Sequence, residues 1–322
     1  MDCDWSVFSP AQQAAFAFAR KITYEPQNFT DADIDQLQKH YTDKQILEML
    51  LSVAGNNSIN RWKEGAGIPQ SANGGGFGRR TASGAEVPPS PDRPPLPETY
   101  LTPTAERYKD VITKVAPLAI DEKSGEPTRL TVFRRPPLES RTEVEEALKA
   151  SRKRTARLPL ADESKVKELL PEGFPAGPLP QWVRLLAIFP NSAKSRIESI
   201  RSAEQRGDLT PMLKAQVSWI IARQDRAWYA AGEAKRRLQE LGWSDDQIYK
   251  LDGSWDDFTL AERALFTVAR KLAATPVVLT DADVAEAVKQ AGPRDVVQVI
   301  SYTTNRASFD RITEAAGLQL EK

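Results

Sequence analysis

A repeat constrains this chain more than any other feature. "WSVFSPAQQAAFAFARKI" begins at Trp5 and "WDDFTLAERALFTVARKL" begins at Trp255. The offset of 250 holds without a gap: "FTDADI" (Phe29 to Ile34) meets "LTDADV" (Leu279 to Val284), and "NRWKEGAGI" (Asn60 to Ile68) meets "DRITEAAGL" (Asp310 to Leu318). Between Trp5–Ile68 and Trp255–Leu318, 19 of the 64 paired positions are identical, and most others keep their apolar or polar character. The shared positions are those that set helix starts and core faces, so both copies are expected to take the same local fold.

Each copy reads as three helices. The first opens with a capping box, Ser9 to Gln12 in one copy and Thr259 to Glu262 in the other, where a hydroxyl and a side chain three residues on satisfy orphan amides reciprocally. Pro10 suits a first helical position. Phe16, Ala19 and Ile22 fall at helical spacing. The second helix starts at Thr30 or Thr280 with acidic residues in its first turn, which suits the helix dipole. The third opens at Thr42–Gln45 or after Gly292–Pro293 and stops at Gly67 or Gly317, residues that accept a left-handed backbone. No persuasive strand pattern appears; "TRLTVF" (Thr128 to Phe133) is the best candidate.

Between the copies the composition changes. Residues 70–103 are rich in Gly, Ser and Pro and bury too little apolar surface to offset their ordering entropy, which predicts a flexible linker. Its "GGGFG" looks like a phosphate loop, but no strand precedes it and no Lys-Ser/Thr follows. Residues 104–122 and 141–153 read as helical within a connector spanning 104–154. The basic run "KASRKRTAR" (Lys149 to Arg157) reads as a solvated face or linker. Only the second copy has a family of helices upstream, with apolar faces at Trp182, Leu185, Leu186 and Phe189 and at Leu213, Val217, Ile220 and Ile221. The quoted segment "AWYAAGE" (Ala227 to Glu233) follows them.

Lys plus Arg equals Asp plus Glu at 44 each, which gives no long-range attraction to nucleic acid or to an anionic membrane. One cysteine (Cys3) and one histidine (His40) exclude an intrachain disulfide and a zinc site built from Cys and His. No segment approaches a membrane span, and the N-terminus has no basic region followed by an apolar run. A cytoplasmic protein without cofactor or metal, and without nucleic-acid or membrane partners, is the expectation.

The long pattern "LTPMLKAQVSWIIARQDRAWYAAGEAKRRLQELGWSDDQIYKL", followed by "WDDFTLAERALFTVARKLAATPVVLTDADV" and by the Asn-Arg and Gly signature of "GNNSINRWKEGAGIP", resembles the carboxymuconolactone decarboxylase and alkylhydroperoxidase D-like superfamily, peroxidase-related type. The resemblance covers residues 1–69 and 155–322. It implies an all-α fold: one complete alkylhydroperoxidase D-like domain over 155–322 and the C-terminal half of such a domain over 1–69. It also implies a homo-oligomer.

In that family the second hairpin helix often starts with Cys-x-x-Cys and a histidine four residues on. Two thiols at a helix start can form a disulfide, and the helix N-terminus with a nearby base lowers a thiol pKa so that a thiolate can attack a peroxide. In the register set by Gly242 and "SDDQI", the resemblance puts the cysteine positions on Ala227 and Ala230 and the histidine position on Ala234. Tyr229 matches a tyrosine common between the cysteines. The Glu and His of decarboxylase-type members are missing at their matching positions too.

Alanine carries neither electrons nor protons, so a thiol peroxidase cycle is not expected in this hairpin. Three readings follow: a peroxidase whose catalysis depends on residues outside this chain or on an unusual site, an acid–base enzyme using Glu233 with Tyr229 as hydrogen-bond donor, or a non-catalytic member serving assembly or binding of a small molecule not identified by the sequence. The residues favour the third. The bland assignment of the neighbourhood has Asp225 capping the helix, Arg226 and Glu233 solvated, and Trp228 and Tyr229 packed. Glu262 and Glu314 are weaker acid–base candidates; Glu262 is already used by its capping box, and His40 reads as a surface residue. Copy one lacks the upstream helices of copy two. Either a longer product carries that hairpin upstream of Met1, or the three-helix unit packs against the second domain or a neighbouring subunit.

Overall fold

The computed structural model describes residues 6, 8–68, 119–120, 127–128, 137–275 and 277–321. Cys3, the linker's "GGGFG" and most of the connector expected over 104–136 lie outside them. Pro10–Gly67 and Val132–Lys322 form one compact unit, and its fold is all-α. Copy one supplies α1 (Pro10–Tyr24), α2 (Asp31–Gln38) and α3 (Asp43–Gly65). Next come α4 (Arg141–Ser151), α5 (Glu163–Val166), α6 (Gln181–Leu186) and α7 (Pro190–Gln205). The helical hairpin is α8 (Pro211–Asp225) and α9 (Trp228–Glu240), followed by the short α10 (Asp245–Tyr249). Copy two is α11 (Leu260–Ala273), α12 (Asp281–Ala291) and α13 (Pro293–Ala315).

The second compact unit, Met1–Ser9 with Ile68–Thr131, carries the one extended pairing among the described residues. Ala119–Ile120 pairs antiparallel with Pro127–Thr128. This corrects one expectation: residues 119–120 are extended, not helical. Of the strand candidate over Thr128–Phe133, Thr128 is extended and 129–133 lie outside the described residues.

The caps read from sequence organise both copies. Thr30 with Asp33, Thr42 with Gln45, Thr259 with Glu262 and Thr280 with Asp283 form capping boxes. Gly67 and Gly317 both sit at φ +60°, one residue past the C-caps of α3 and α13, where a Cβ would be strained. Lys21–Asp33 (2.7 Å) and Lys271–Asp283 (2.6 Å) tie the first helix to the second at equivalent positions.

Helix α13 is the central element. It packs against α3, α8, α9, α11 and α12, so the N-terminal three-helix unit docks on the second copy within one chain. The apolar stripe predicted for the first helix is complete in copy two, where Phe266, Ala269 and Leu272 are buried. In copy one the buried positions are Phe18 and Ile22, while Phe16 and Ala19 are half-buried. The reason is the hairpin: α8 covers α11, and α1 has no such helix over it among its packing neighbours.

The basic run is not simply solvated. Lys149, Arg152 and Lys153 are exposed, but Arg157 donates from Nη1 to the carbonyls of Glu314 (2.7 Å) and Ala315 (3.3 Å) at the end of α13. A cation there satisfies orphan carbonyls and opposes the helix dipole. Arg157 also donates from Nε to Asp31 of copy one (2.8 Å), and Arg154 pairs with Glu314 (2.9 Å).

Candidate functional site

The α8–α9 hairpin turns in two residues. Thr210 caps α8, accepting from the Leu213 amide (3.1 Å), and Pro211 opens the helix. Arg226 ends it in the left-handed conformation (φ 54°), while the Ala227 amide donates to the Ala222 carbonyl (2.8 Å). A non-glycine residue there costs on the order of 1–2 kcal/mol. Two ion pairs on one carboxylate hold the turn: Glu139 pairs with Arg226 (2.6 Å) and with Arg223 (2.8 Å).

Ala227, Ala230 and Ala234 are all essentially fully buried. They line the inner face of α9, and their methyls are packing atoms. Ala227 provides no side-chain cap to α9. A carboxylate from another helix fills that role: Glu314, 2% exposed, accepts from the Tyr229 amide (3.2 Å). The N-terminus of α9, which favours negative charge, thus has an anion, and that anion is held by Arg154 (2.9 Å). Asp225 does not cap α9, contrary to the bland expectation; its carboxylate accepts from Arg311 (2.9 Å) in the buried interior.

Tyr229 is fully buried, against Phe309 (ring centroids 6.1 Å apart). Its hydroxyl lies beside the Glu233 and Glu321 carboxylates. Burial first, then the nearby Glu233 and Glu321 charges, push its pKa well above the ordinary tyrosine value. Glu233 is not solvated either. Its side chain is 15% exposed and stands 4.0 Å from Arg306. Burial raises its pKa above the usual glutamate value, against the opposing pull of Arg306 and Arg237. Of the remaining candidates, Glu262 sits in its capping box and His40 is exposed beside Tyr41.

The structure adds a polar network that the sequence reading missed. Tyr302 of α13 donates to Glu204 of α7 (2.7 Å) and accepts from Ser218 of α8 (2.7 Å). Arg306 donates to the same carboxylate (3.0 Å), and Arg237 of α9 pairs with it as well. Burial disfavours the ionised Glu204, but Arg306 and Arg237 outweigh it and hold its pKa below the ordinary value. The network ties four helices together through one carboxylate. A sequence signal did exist: Tyr302 and Arg306 stand where copy one has Ser52 and Asn56, and departures from a repeat mark what one copy does alone.

Two clefts flank these elements. One, of about 400 Å³, has Tyr302, Lys214, Arg206, Ser301 and Asn305 among its lining residues. The other, of about 360 Å³, lies between Thr42–Leu47 and Leu158, Pro159 and Ile188. Neither is lined by Glu233 or Tyr229. Among the described residues no group of three or more His, Cys, Asp or Glu is placed to hold a metal ion, and no helix is long and apolar enough to cross a membrane.

No known protein-family profile matches the chain, and no curated protein matches it. Among solved structures, the chain is similar to a cysteine-to-alanine variant of the debrominase Bmp8 in complex with 2,3,4-tribromopyrrole, with a TM-score of 0.41 and 14% identity over 60% of this chain and 93% of that one.

Proposed function

We propose that the chain is a divergent member of the carboxymuconolactone decarboxylase and alkylhydroperoxidase D-like superfamily whose hairpin serves assembly and binding and performs no thiol-redox chemistry. The observation that carries this reading is the occupancy of the α9 N-terminus. Where a thiolate would gain its low pKa, the chain has buried Ala227 and Ala230, and the Glu314 carboxylate takes the helix's orphan amide. An anion already seated there removes the electrostatic advantage that a nucleophile would draw on. The test is hydroperoxide consumption by the full chain with a dithiol reductant. The expected rate equals that of buffer; turnover above buffer that survives Cys3→Ser would overturn the reading.

One observation favours an acid–base alternative. The buried Glu233 has a raised pKa and lies beside Arg306, an arrangement suited to a general acid or base. That reading needs a substrate to reach Glu233. It is tested by screening small carbonyl acids for proton exchange with solvent, comparing the native chain with Glu233→Gln; equal exchange rates in the two would eliminate it. Homo-oligomerisation, in the cytoplasm, belongs to the same proposal and is read from the mass by light scattering: a single-chain mass of 35.8 kDa would remove it.

A further inference from the structure

Two arginines at equivalent repeat positions, Arg61 and Arg311, meet under the loop that follows α11. Arg61 is 5% exposed and Arg311 is fully buried. Both donate from Nη2 to one hydroxyl, Thr275 Oγ1, at 2.5 Å and 3.1 Å. In a guanidinium, Nε–H and one Nη–H₂ share an edge, the edge that grips a carboxylate or oxyanion with two parallel hydrogen bonds. Both arginines direct Nη2 at Thr275, and in both the buried Nε has no hydrogen-bond partner among the described residues. Among the described residues the Thr275 hydroxyl accepts twice and donates to nothing.

The charges do not match. Arg311 has a carboxylate, Asp225 at 2.9 Å. Among the described residues Arg61 donates only to neutral acceptors, Asn57 Oδ1 (3.1 Å) and the shared threonine hydroxyl, and the Asp225 carboxylate acts on it without a direct hydrogen bond. Asp310, the other buried carboxyl near Arg311, makes no hydrogen bond through either oxygen. Burial and the Asp225 charge push its pKa well above the ordinary aspartate value. Burial and the neighbouring Arg311 lower the Arg61 pKa to about 9, which still leaves the guanidinium charged at neutral pH. An unpaired buried charge is destabilising, and a fold that keeps one places a counter-charge beside it.

We propose that Arg61, Arg311 and Thr275 form a binding site for a small monovalent anion, a halide or the carboxylate of a small molecule, at the junction of the two repeats. The anion accepts from the two free Nε–H groups and from the Thr275 hydroxyl, and it supplies the negative charge that Arg61 lacks. The site lies just under the surface, since Thr275 is half-buried. It is independent of the hairpin reading above.

The test is thermal unfolding of the full chain at constant ionic strength while chloride or acetate replaces gluconate, a much bulkier anion. The melting temperature is expected to rise and saturate with one of the two. A response to chloride assigns a halide site, and a response to acetate assigns a carboxylate site. Arg61→Gln keeps hydrogen-bonding capacity and removes the charge, and Thr275→Val keeps the shape and removes the hydroxyl. Each is expected to weaken the apparent anion affinity at least tenfold. Crystals soaked in bromide should show an anomalous peak within hydrogen-bonding reach of both Nε atoms. One melting temperature in all three salts, or an anion response unchanged in both variants, overturns the proposal.

Discussion

Copy one and copy two are built from the same plan and differ in one face. The capping boxes at Thr30 and Thr280, the Lys21–Asp33 and Lys271–Asp283 pairs and the glycine stops at Gly67 and Gly317 are equivalent. The long helices diverge. In α13, Tyr302, Arg306 and Asp310 are buried beneath the hairpin and α7, whereas Ser52, Asn56 and Asn60 stand at those positions in α3 and are exposed. Charge and aromatic mass appear where another helix covers the face, and small neutral polar groups appear where water does. Local structure was kept between the copies, while the face that meets the rest of the fold was rewritten.

The sharpest break in the symmetry should come from the paired arginines. Arg311→Leu removes a fully buried guanidinium and strands the Asp225 carboxylate, so it should cost about 3–5 kcal/mol. Arg61→Leu strands no carboxylate and should cost far less. Urea unfolding of both variants measures the gap, and equal losses would show that the two copies share one buried charge environment. Next is the network specific to copy two. Glu204→Gln removes the negative charge shared by Arg306, Arg237 and Tyr302 and turns one acceptor oxygen into a donor amide, and it should cost about 3 kcal/mol.

The same carboxylate gives a pH test with a definite sign. The folded-state pKa of Glu204 is lowered, so its stabilisation is fully present above the unfolded glutamate value, about 4.3, and is lost as pH falls through the folded value. Amide exchange followed from neutral to acid pH should therefore open α7, the hairpin and the α13 face bearing Tyr302 and Arg306 before the exposed face of α3. Glu233 runs the other way. Its pKa is raised, so its ionised form opposes folding and that penalty fades as pH drops; Glu233→Gln should leave stability at neutral pH unchanged or slightly higher.

A smaller effect separates the ends of the long helices. Gly65 stands where copy two has the buried Ala315. A Cβ at Gly65 would come 2.9 Å from Ile300 Cγ2 and 3.1 Å from Leu272 Cδ2. Overpacking of this kind costs about 1–3 kcal/mol, and the helix propensity gained from Gly to Ala returns about 1. Gly65→Ala should thus lose about 1 kcal/mol in a chemical denaturation curve, and a net gain would mean that the α3–α13 seam has room to give.

What the sequence made legible follows from distance along the chain. Caps, stops and the repeat depend on residues within a few positions of one another, and Thr42–Gln45, Thr280–Asp283 and Gly317 stood as read. That the hairpin holds neither cysteine nor histidine was also legible, because composition needs no coordinates. The carboxylate at the start of α9 was not. Glu314 reaches the α9 amide across a separation of 85 residues, and nothing in "DRITEAAGL" distinguishes a carboxylate that caps another helix from one in water. Its counterpart Glu64 has the same identity and is exposed. Arg154 and Arg157 looked like a solvated run for the same reason: their acceptors are carbonyls and carboxylates supplied by the end of a distant helix.

The smallest effect tests the symmetric half of the comparison, and it is the one where equality matters. Thr30 and Thr280 each engage an aspartate three residues on, with Thr30 N donating to Asp33 at 2.7 Å and Thr280 N to Asp283 at 2.9 Å. The same aspartates accept from Lys21 and Lys271. Replacing either threonine by alanine removes one hydroxyl from a cap at the protein surface and should cost about 1 kcal/mol. Because the cap geometry is local, the hairpin that covers copy two should not alter it. The two variants should therefore agree within a few tenths of a kcal/mol, and their double variant should show the sum, since sites that share no partners add. Unequal losses, measured by denaturation of the three variants side by side, would mean that the caps are coupled to the faces that differ, and that the divergence of α3 from α13 reaches back through α2 and α12 to the helix starts.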